Sequence, residues 1–233
     1  NFKIAAGGGT LFLTNDSEVL ISGAPSANLL EDTSYGRKPD GTGSWLFFNT
    51  PTPGSSNIES GETTVLEAPQ FSHTSGLYST AIDVTLSTDI QNATIVYTLD
   101  GSEPDINNIG GSSFQYKNEY PHEVGDSAGP LLNQNYKSII YSSPISISNR
   151  SNDPDQLSVK NTVADDLYIP PMLVRKSSVL RAKVYLNGKG SKTRTRNYFV
   201  WPNGNPYKVP VVALTTYEGN LFEYTNGIYT PGA

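Results

Sequence analysis

Apolar and polar positions alternate along this chain in short runs. Ile95, Tyr97 and Leu99 are interleaved with Thr94, Val96 and Thr98, and Ile82, Val84 and Leu86 with Asp83, Thr85 and Ser87. Leu180, Ala182 and Val184 likewise bracket Arg181 and Lys183. A period of two puts successive side chains on opposite faces of an extended backbone, so each run predicts a strand. Nearer the start, Thr10 to Leu13, Val19 to Ile21 and Trp45 to Phe48 read as strands separated by Gly7-Gly8-Gly9, Asn15-Asp16 and Asp40-Gly41-Thr42-Gly43. No window sustains apolar spacing of three and four without an interrupting Gly, Pro or Asn. The predicted class is all-β.

Punctuation sets the organisation. Among 233 residues, 21 Gly and 16 Pro supply many turns. Asp100-Gly101 and Asn187-Gly188 are pairs that tolerate positive φ, as tight turns require. Residues 58–67 are polar and read as a linker. A second unit then runs over 68–200, broken by two long insertions at 106–140 and 149–175. Loops of that length in a compact domain are commonly functional or disordered.

Several motifs carry family resemblances. Tyr97, Thr98, Asp100, Gly101, Ser102 and Pro104 form a strand-and-turn signature that resembles the chitobiase/β-hexosaminidase C-terminal domain. Ser75-Gly76-Leu77-Tyr78 resembles the opening of that family. The resemblance implies an immunoglobulin-like β-sandwich appended to secreted bacterial enzymes. Residues 1–57 resemble the second half of a bacterial lamin-tail domain through Ala6-Gly7-Gly8-Gly9-Thr10-Leu11, Ser34-Tyr35-Gly36-Arg37, Pro39-Asp40-Gly41-Thr42-Gly43 and Thr50-Pro51-Thr52-Pro53-Gly54 with Asn57. The opening half of that family is missing, so the first unit is expected to be incomplete, with strand edges that pair with a lost N-terminal half or a neighbouring chain. Within 201–233, Pro210, Val211, Val212, Leu214, Thr216, Asn220, Leu221, Phe222, Gly227, Ile228 and Tyr229 resemble the opening of the CotH family, related to atypical kinases. There a strand leads into an N-L-F segment.

Charge changes this picture at one place. Net charge is −6, yet 175–196 hold eight basic residues and no acidic one. Arg181, Lys183, Lys192, Arg194 and Arg196 are candidates for a stripe that binds an anionic polymer. The competing reading has them solvating an edge strand, and it is favoured because no nucleic-acid motif accompanies the charge. Nucleic acid is therefore not the expected partner.

Candidate chemistry is sparse. Cysteine is absent, which rules out disulfides, a thiol nucleophile and thiolate metal sites. His73 and His122 lie far apart in sequence, outside any metal-ligand spacing. Asp100, Glu103 and Asp105 miss the calcium-loop pattern, Asp153 and Asp155 carry a similarly low expectation as cation ligands, and Glu119, Glu123 and Asp126 lack a spacing suited to glycoside hydrolysis. No catalytic residue, metal or cofactor is assigned. Phe114, Tyr116, Tyr120 and Tyr136 lie in the first insertion, and Tyr116 and Tyr120 are the candidate platforms for stacking sugar rings. The competing reading is that these rings anchor the insertion.

The expected function is thus non-catalytic. The resemblances imply accessory β-modules of a larger secreted or cell-surface bacterial protein, acting in attachment, presentation of a ligand or positioning of a partner domain. One alternative is a carbohydrate-binding module that recognises a glycan or other surface polymer. Another is the N-terminal part of a CotH-like kinase whose catalytic region lies beyond Ala233.

Overall fold

The computed structural model describes residues 9–27, 29–30, 32–121, 123–126, 129–160 and 170–230. The chain divides into two compact units, 1–67 and 68–233. Ala6 to Gly8 of the lamin-tail-like motif and His122 lie outside the described residues.

The first unit holds two antiparallel pairs. Strands β1 (Leu11–Thr14) and β2 (Leu20–Ala24) form one, and β3 (Ser34–Lys38) and β4 (Ser44–Phe48) the other. The Asn15 side chain builds the first turn by accepting from the N–H groups of Ser17 and Val19 at 3.1 and 2.8 Å. In the second pair, opposite residues bring Tyr35 against Phe47 with ring centroids 4.6 Å apart, and Arg37 lies over Trp45. Phe48 is buried beneath this pair. By contrast, Phe12, Leu13, Leu20 and Ile21 of the β1–β2 hairpin are all exposed. Among the described residues, each of these two sheets has only two strands. The stretch expected as a linker does not run free from its start. Glu62 exchanges backbone hydrogen bonds of 2.7 and 2.8 Å with Phe47, because β4 offers an unpaired edge that a neighbouring segment satisfies.

The second unit is a β-sandwich. Its strands in chain order are β5 (Gln70–Phe71), β6 (Gly76–Tyr78), β7 (Ile82–Val84), β8 (Leu86–Ser87) and β9 (Thr94–Thr98). The first insertion contributes a hairpin of β10 (Ser112–Tyr116) and β11 (Leu132–Tyr136). Then follow β12 (Ile139–Ile140), β13 (Ile145–Ile147), β14 (Ser178–Leu186), β15 (Lys189–Gly190) and β16 (Arg194–Val200). One sheet runs β12-β9-β14-β16-β6, with β15 paired to β14, and β16 meets β6 in parallel. The pairs β13–β7 and β5–β8 supply the opposing layer.

Alternation explains the core. Leu180, Ala182 and Val184 are fully buried, and they pack with Ile95, Tyr198 and Val200 from their own sheet and Val84, Leu86, Ile145 and Ile147 from the other layer. The architecture is all-β and immunoglobulin-like. Three features differ from the sequence reading. Strand β14 is no edge: it sits between β9 and β16. Strand β9 is covered on both faces, since Val96 and Thr98 are as buried as Ile95: on the face away from the core Thr98 bonds the Ser102 carbonyl, and Ser102 and Pro104 are themselves fully buried. The strand expected at 209–216 is also absent: Val212 and Leu214 stand exposed there, and an extended segment gains strand character only from a hydrogen-bonded neighbour.

Tyr198 ties this core to alkaline pH. It is buried, its hydroxyl donates to the His73 carbonyl at 3.1 Å, and burial, with Tyr78 nearby, pushes its phenol up to about 12 from 10.0. A raised phenol favours the neutral native form, so its contribution is intact below the unfolded value and lost as pH rises towards the folded one. We expect about 2–3 kcal/mol of stability to disappear across that window. Denaturant unfolding at rising pH checks it: Tyr198→Phe should flatten the loss, and parallel curves for the two proteins would contradict the assignment.

Candidate functional site

The site begins at the turn after β9. Asp100 accepts from the Ser102 N–H at 2.9 Å and from the Lys137 N–H at 3.2 Å, while Gly101 takes φ +81°. Thr98, buried at the end of β9, donates its hydroxyl to the Ser102 carbonyl at 2.7 Å. Asp105 then accepts from the Asn107 backbone and side-chain nitrogens at 2.9 and 3.1 Å and starts a short 3-10 turn, Ile106–Asn108. The Ser138 hydroxyl accepts from the Asp105 N–H at 2.9 Å, and the Ser138 N–H donates to the Asn108 carbonyl at 3.0 Å. These bonds clamp the two ends of the first insertion together.

The segment after β16 completes the site. Tyr217 packs edge-on against Phe114 at 5.5 Å and lies 4.8 Å from Tyr136. Helix α1 (Gly219–Phe222) follows, and the Tyr224 N–H donates to the Gln115 carbonyl at 2.8 Å. Burial, and the Tyr136 hydroxyl beside it, raise the Tyr217 phenol far above its usual range, so it stays neutral. Lys160 from the second insertion reaches this cluster. Its ammonium lies 3.8 Å from the centre of the Tyr116 ring and pairs with Glu218.

Between the first insertion, the outer face of β14 and residues 215–220 lies a cleft of about 770 Å³. Its side chains include Asn107, Asn108, Asn220, Tyr136, Tyr185 and Tyr217. Glu103, Asp105, Arg181 and Lys183 also line it, two anions against two cations. Arg181 and Lys183 both bind Glu103, the lysine at 2.7 Å, and the Thr193 hydroxyl adds a third donor. Burial alone would raise the Glu103 carboxyl. The hydrogen bonds from Lys183 and Thr193 and the charges of Lys183 and Arg181 outweigh it and hold the group below the usual carboxylate range. Tyr185 is buried, and its hydroxyl donates to the Pro104 carbonyl at 2.8 Å.

The basic stripe does not assemble. Arg181 and Lys183 project on the cleft side, but Arg194 and Arg196 pair with Ala182 and Leu180 and so share the opposite face. There Arg194 donates to the Pro69 carbonyl at 3.1 Å and Arg196 lies over the Phe71 ring. The cause is a bulge. Asn187-Gly188 sets a register that pairs Tyr185 with Gly190, and its continuation would put Arg194 opposite Arg181. Past Ser191 the register moves by one residue, so Arg194 meets Ala182 instead. The Ser191 hydroxyl covers the irregularity by accepting from the Val184 N–H at 3.0 Å.

The aromatic platform is altered too. Tyr120 is only 8% exposed, and Tyr116 is half-buried with one face taken by Lys160. Those rings fasten the insertion, while Tyr136 and Tyr217 line the cleft. Among the other candidate ligands, Asp153 pairs with Arg150 at 2.8 Å and Asp155 with Lys176 at 2.7 Å. The His73 ring lies 2.9 Å from the Ser72 hydroxyl. Tyr185, Tyr217 and Asn220 escaped sequence reasoning. The Tyr217 and Asn220 region was marked only by a run of motif residues, and nothing local tied it to Asn107.

Among the described residues, no helix is long and apolar enough to cross a membrane. No curated protein and no solved structure matches the chain. Residues 84–198 match the family Fn3_assoc, described as Fn3 associated. That stretch spans β7's last residue to β16, including the first insertion and three cleft-lining elements, whereas residues 215–220 lie outside it. With its sandwich of facing sheets, this segment is an immunoglobulin-like β-domain of the Fn3-associated type.

Proposed function

We propose that the chain supplies accessory β-modules to a larger exported bacterial protein, and that the second unit holds a ligand for attachment or presentation without transforming it. The commitment of Glu103 carries this reading. A general acid must keep a proton near neutral pH and a general base must reach one, so a useful catalytic carboxyl needs a pKa tuned towards the working pH. Glu103 is instead pulled away from that range and bound by Arg181, Lys183 and Thr193. Asp105 spends one oxygen capping its own turn. What remains at the cleft is a set of neutral hydrogen-bonding groups and aromatic faces on a stiff sheet, an arrangement suited to holding.

Export and the bacterial source rest on the lamin-tail and chitobiase-type resemblances. The Fn3-associated match supports the accessory role. The full chain should therefore show no turnover of glycoside, phosphoester or peptide substrates above buffer. Turnover that a single point mutation abolishes would overturn the proposal.

A further inference from the structure

We infer that the cleft bounded by Asn107, Tyr136, Tyr217 and Asn220 binds an uncharged oligosaccharide. This inference rests on the accessory-module reading and gives its ligand a chemical class.

Size comes first. A cleft of about 770 Å³ falls in the range of small-molecule sites, roughly 300–1,000 Å³, and has room for a short chain of sugar rings.

Charge comes next. Glu103 and Asp105 balance Arg181 and Lys183, and both cations already bind Glu103. A phosphate, a sulfated glycan or a nucleic acid would meet no net positive field here.

The hydrogen-bonding inventory then selects hydroxyls. Each asparagine carries an acceptor oxygen and a two-proton donor nitrogen. Asn107 uses its nitrogen on Asp105, Asn220 uses its nitrogen on Thr216 at 2.8 Å, and Asn108 uses its oxygen to accept from Ser112 at 2.7 Å. Those bonds leave the oxygens of Asn107 and Asn220 and the nitrogen of Asn108 available, on three residues that line the cleft. Two acceptors and a donor match a polyol, in which every hydroxyl can both give and take a hydrogen bond. A bound sugar also presents C–H faces, for which Tyr136 and Tyr217 offer apolar ring surface at little entropic cost.

A peptide is the weaker fit. Peptide sites use an open strand edge or a deep apolar anchor pocket, and among the described residues no Val, Leu, Ile or Met side chain lines this cleft. The walls are also preorganised. The Asp105 cap, the Tyr185–Pro104 bond and the Asn220–Thr216 bond exist without a ligand, so ordering on binding costs little.

Calorimetric titration of the full chain with short cello-, malto-, xylo- and chito-oligosaccharides tests this. At least one series should bind, with affinity unchanged as salt is raised from low to physiological strength and beyond. Tyr217→Ala and Asn107→Ala should each weaken it by about tenfold or more. Asn107 is exposed, so Asn107→Ala should melt as the parent chain does, which separates lost binding from misfolding, and Tyr217→Phe should keep most of the affinity. The inference is overturned if no series binds to chain that melts normally, if Asn107→Ala and Tyr217→Ala bind as before, if affinity collapses with salt, or if a peptide mixture binds in place of sugars. Each of those outcomes leaves the accessory role standing. Hydrolysis of the bound sugar would instead remove the accessory reading itself.

Discussion

Replacing Gly101 by alanine should destabilise the second unit by about 2–4 kcal/mol and damage the cleft. Two separate costs meet at this residue. Its φ of +81° is a conformation that a Cβ disfavours. A Cβ there would also stand 2.7 Å from the Thr216 carbonyl oxygen, a backbone atom that cannot swing aside as a side chain does. The turn at Asp100-Gly101 therefore does more than reverse the chain. It allows residues 215–217 to approach β9, and it positions the Gly101 carbonyl to accept from Arg181 at 2.8 Å. Asparagine tolerates positive φ better than alanine, so Gly101→Asn should recover part of the backbone cost and none of the contact cost. Denaturant unfolding of the two variants separates the terms. Changes within about 0.5 kcal/mol for both would show that neither constraint holds.

Leu180→Ala should cost a further independent amount of about 2–5 kcal/mol. Leu180 lies in the middle strand of the large sheet, has no exposure, and packs within the cluster that includes Val84, Ile147 and Tyr198. Removing its branched end leaves a void that close-packed neighbours from two layers cannot fully close. The expected result is a lower denaturant midpoint with an unchanged slope. A loss under about 1 kcal/mol would mean that the sandwich is looser than its burial implies.

These two residues also mark what sequence reasoning reaches. Leu180 was legible because a buried strand alternates, and Gly101 because Asp-Gly between alternating runs signals a turn. The cover over Val96 and Thr98 was not legible. Its partners lie at Ser102 and Pro104, in the short segment after the Asp100-Gly101 turn, where no apolar period announces burial. Strand register was hidden for a sharper reason. Counting outward from the Asn187-Gly188 turn places Arg181 and Arg194 on one face, and a single extra residue after Ser191 reverses that. Because the side-chain period is two, one residue decides whether the arginines form one charged stripe or divide between two faces. The cleft was least visible of all. Its parts lie at 102–108, 136, 181–185 and 215–220, and no local pattern links them.

The site also depends on contacts that a lone Fn3-associated segment would lack. Residues 215–220 lie beyond the matched stretch, yet they bring Tyr217 onto Phe114 and Tyr136 and close one side of the cleft. Lys160 fastens the same region from the second insertion through Glu218 and the Tyr116 ring. The cleft is thus built from segments added to the sandwich together with the outer face of β14.

Backbone amide shifts of the isotopically labelled full chain, followed during titration with a binding neutral oligosaccharide, test the central claim most directly. Shift changes should concentrate at 103–108, 136 and 215–220, while the saccharide is recovered intact. Changes centred on Arg194 and Arg196 or on the β1–β2 hairpin, or release of shorter sugars, would contradict it.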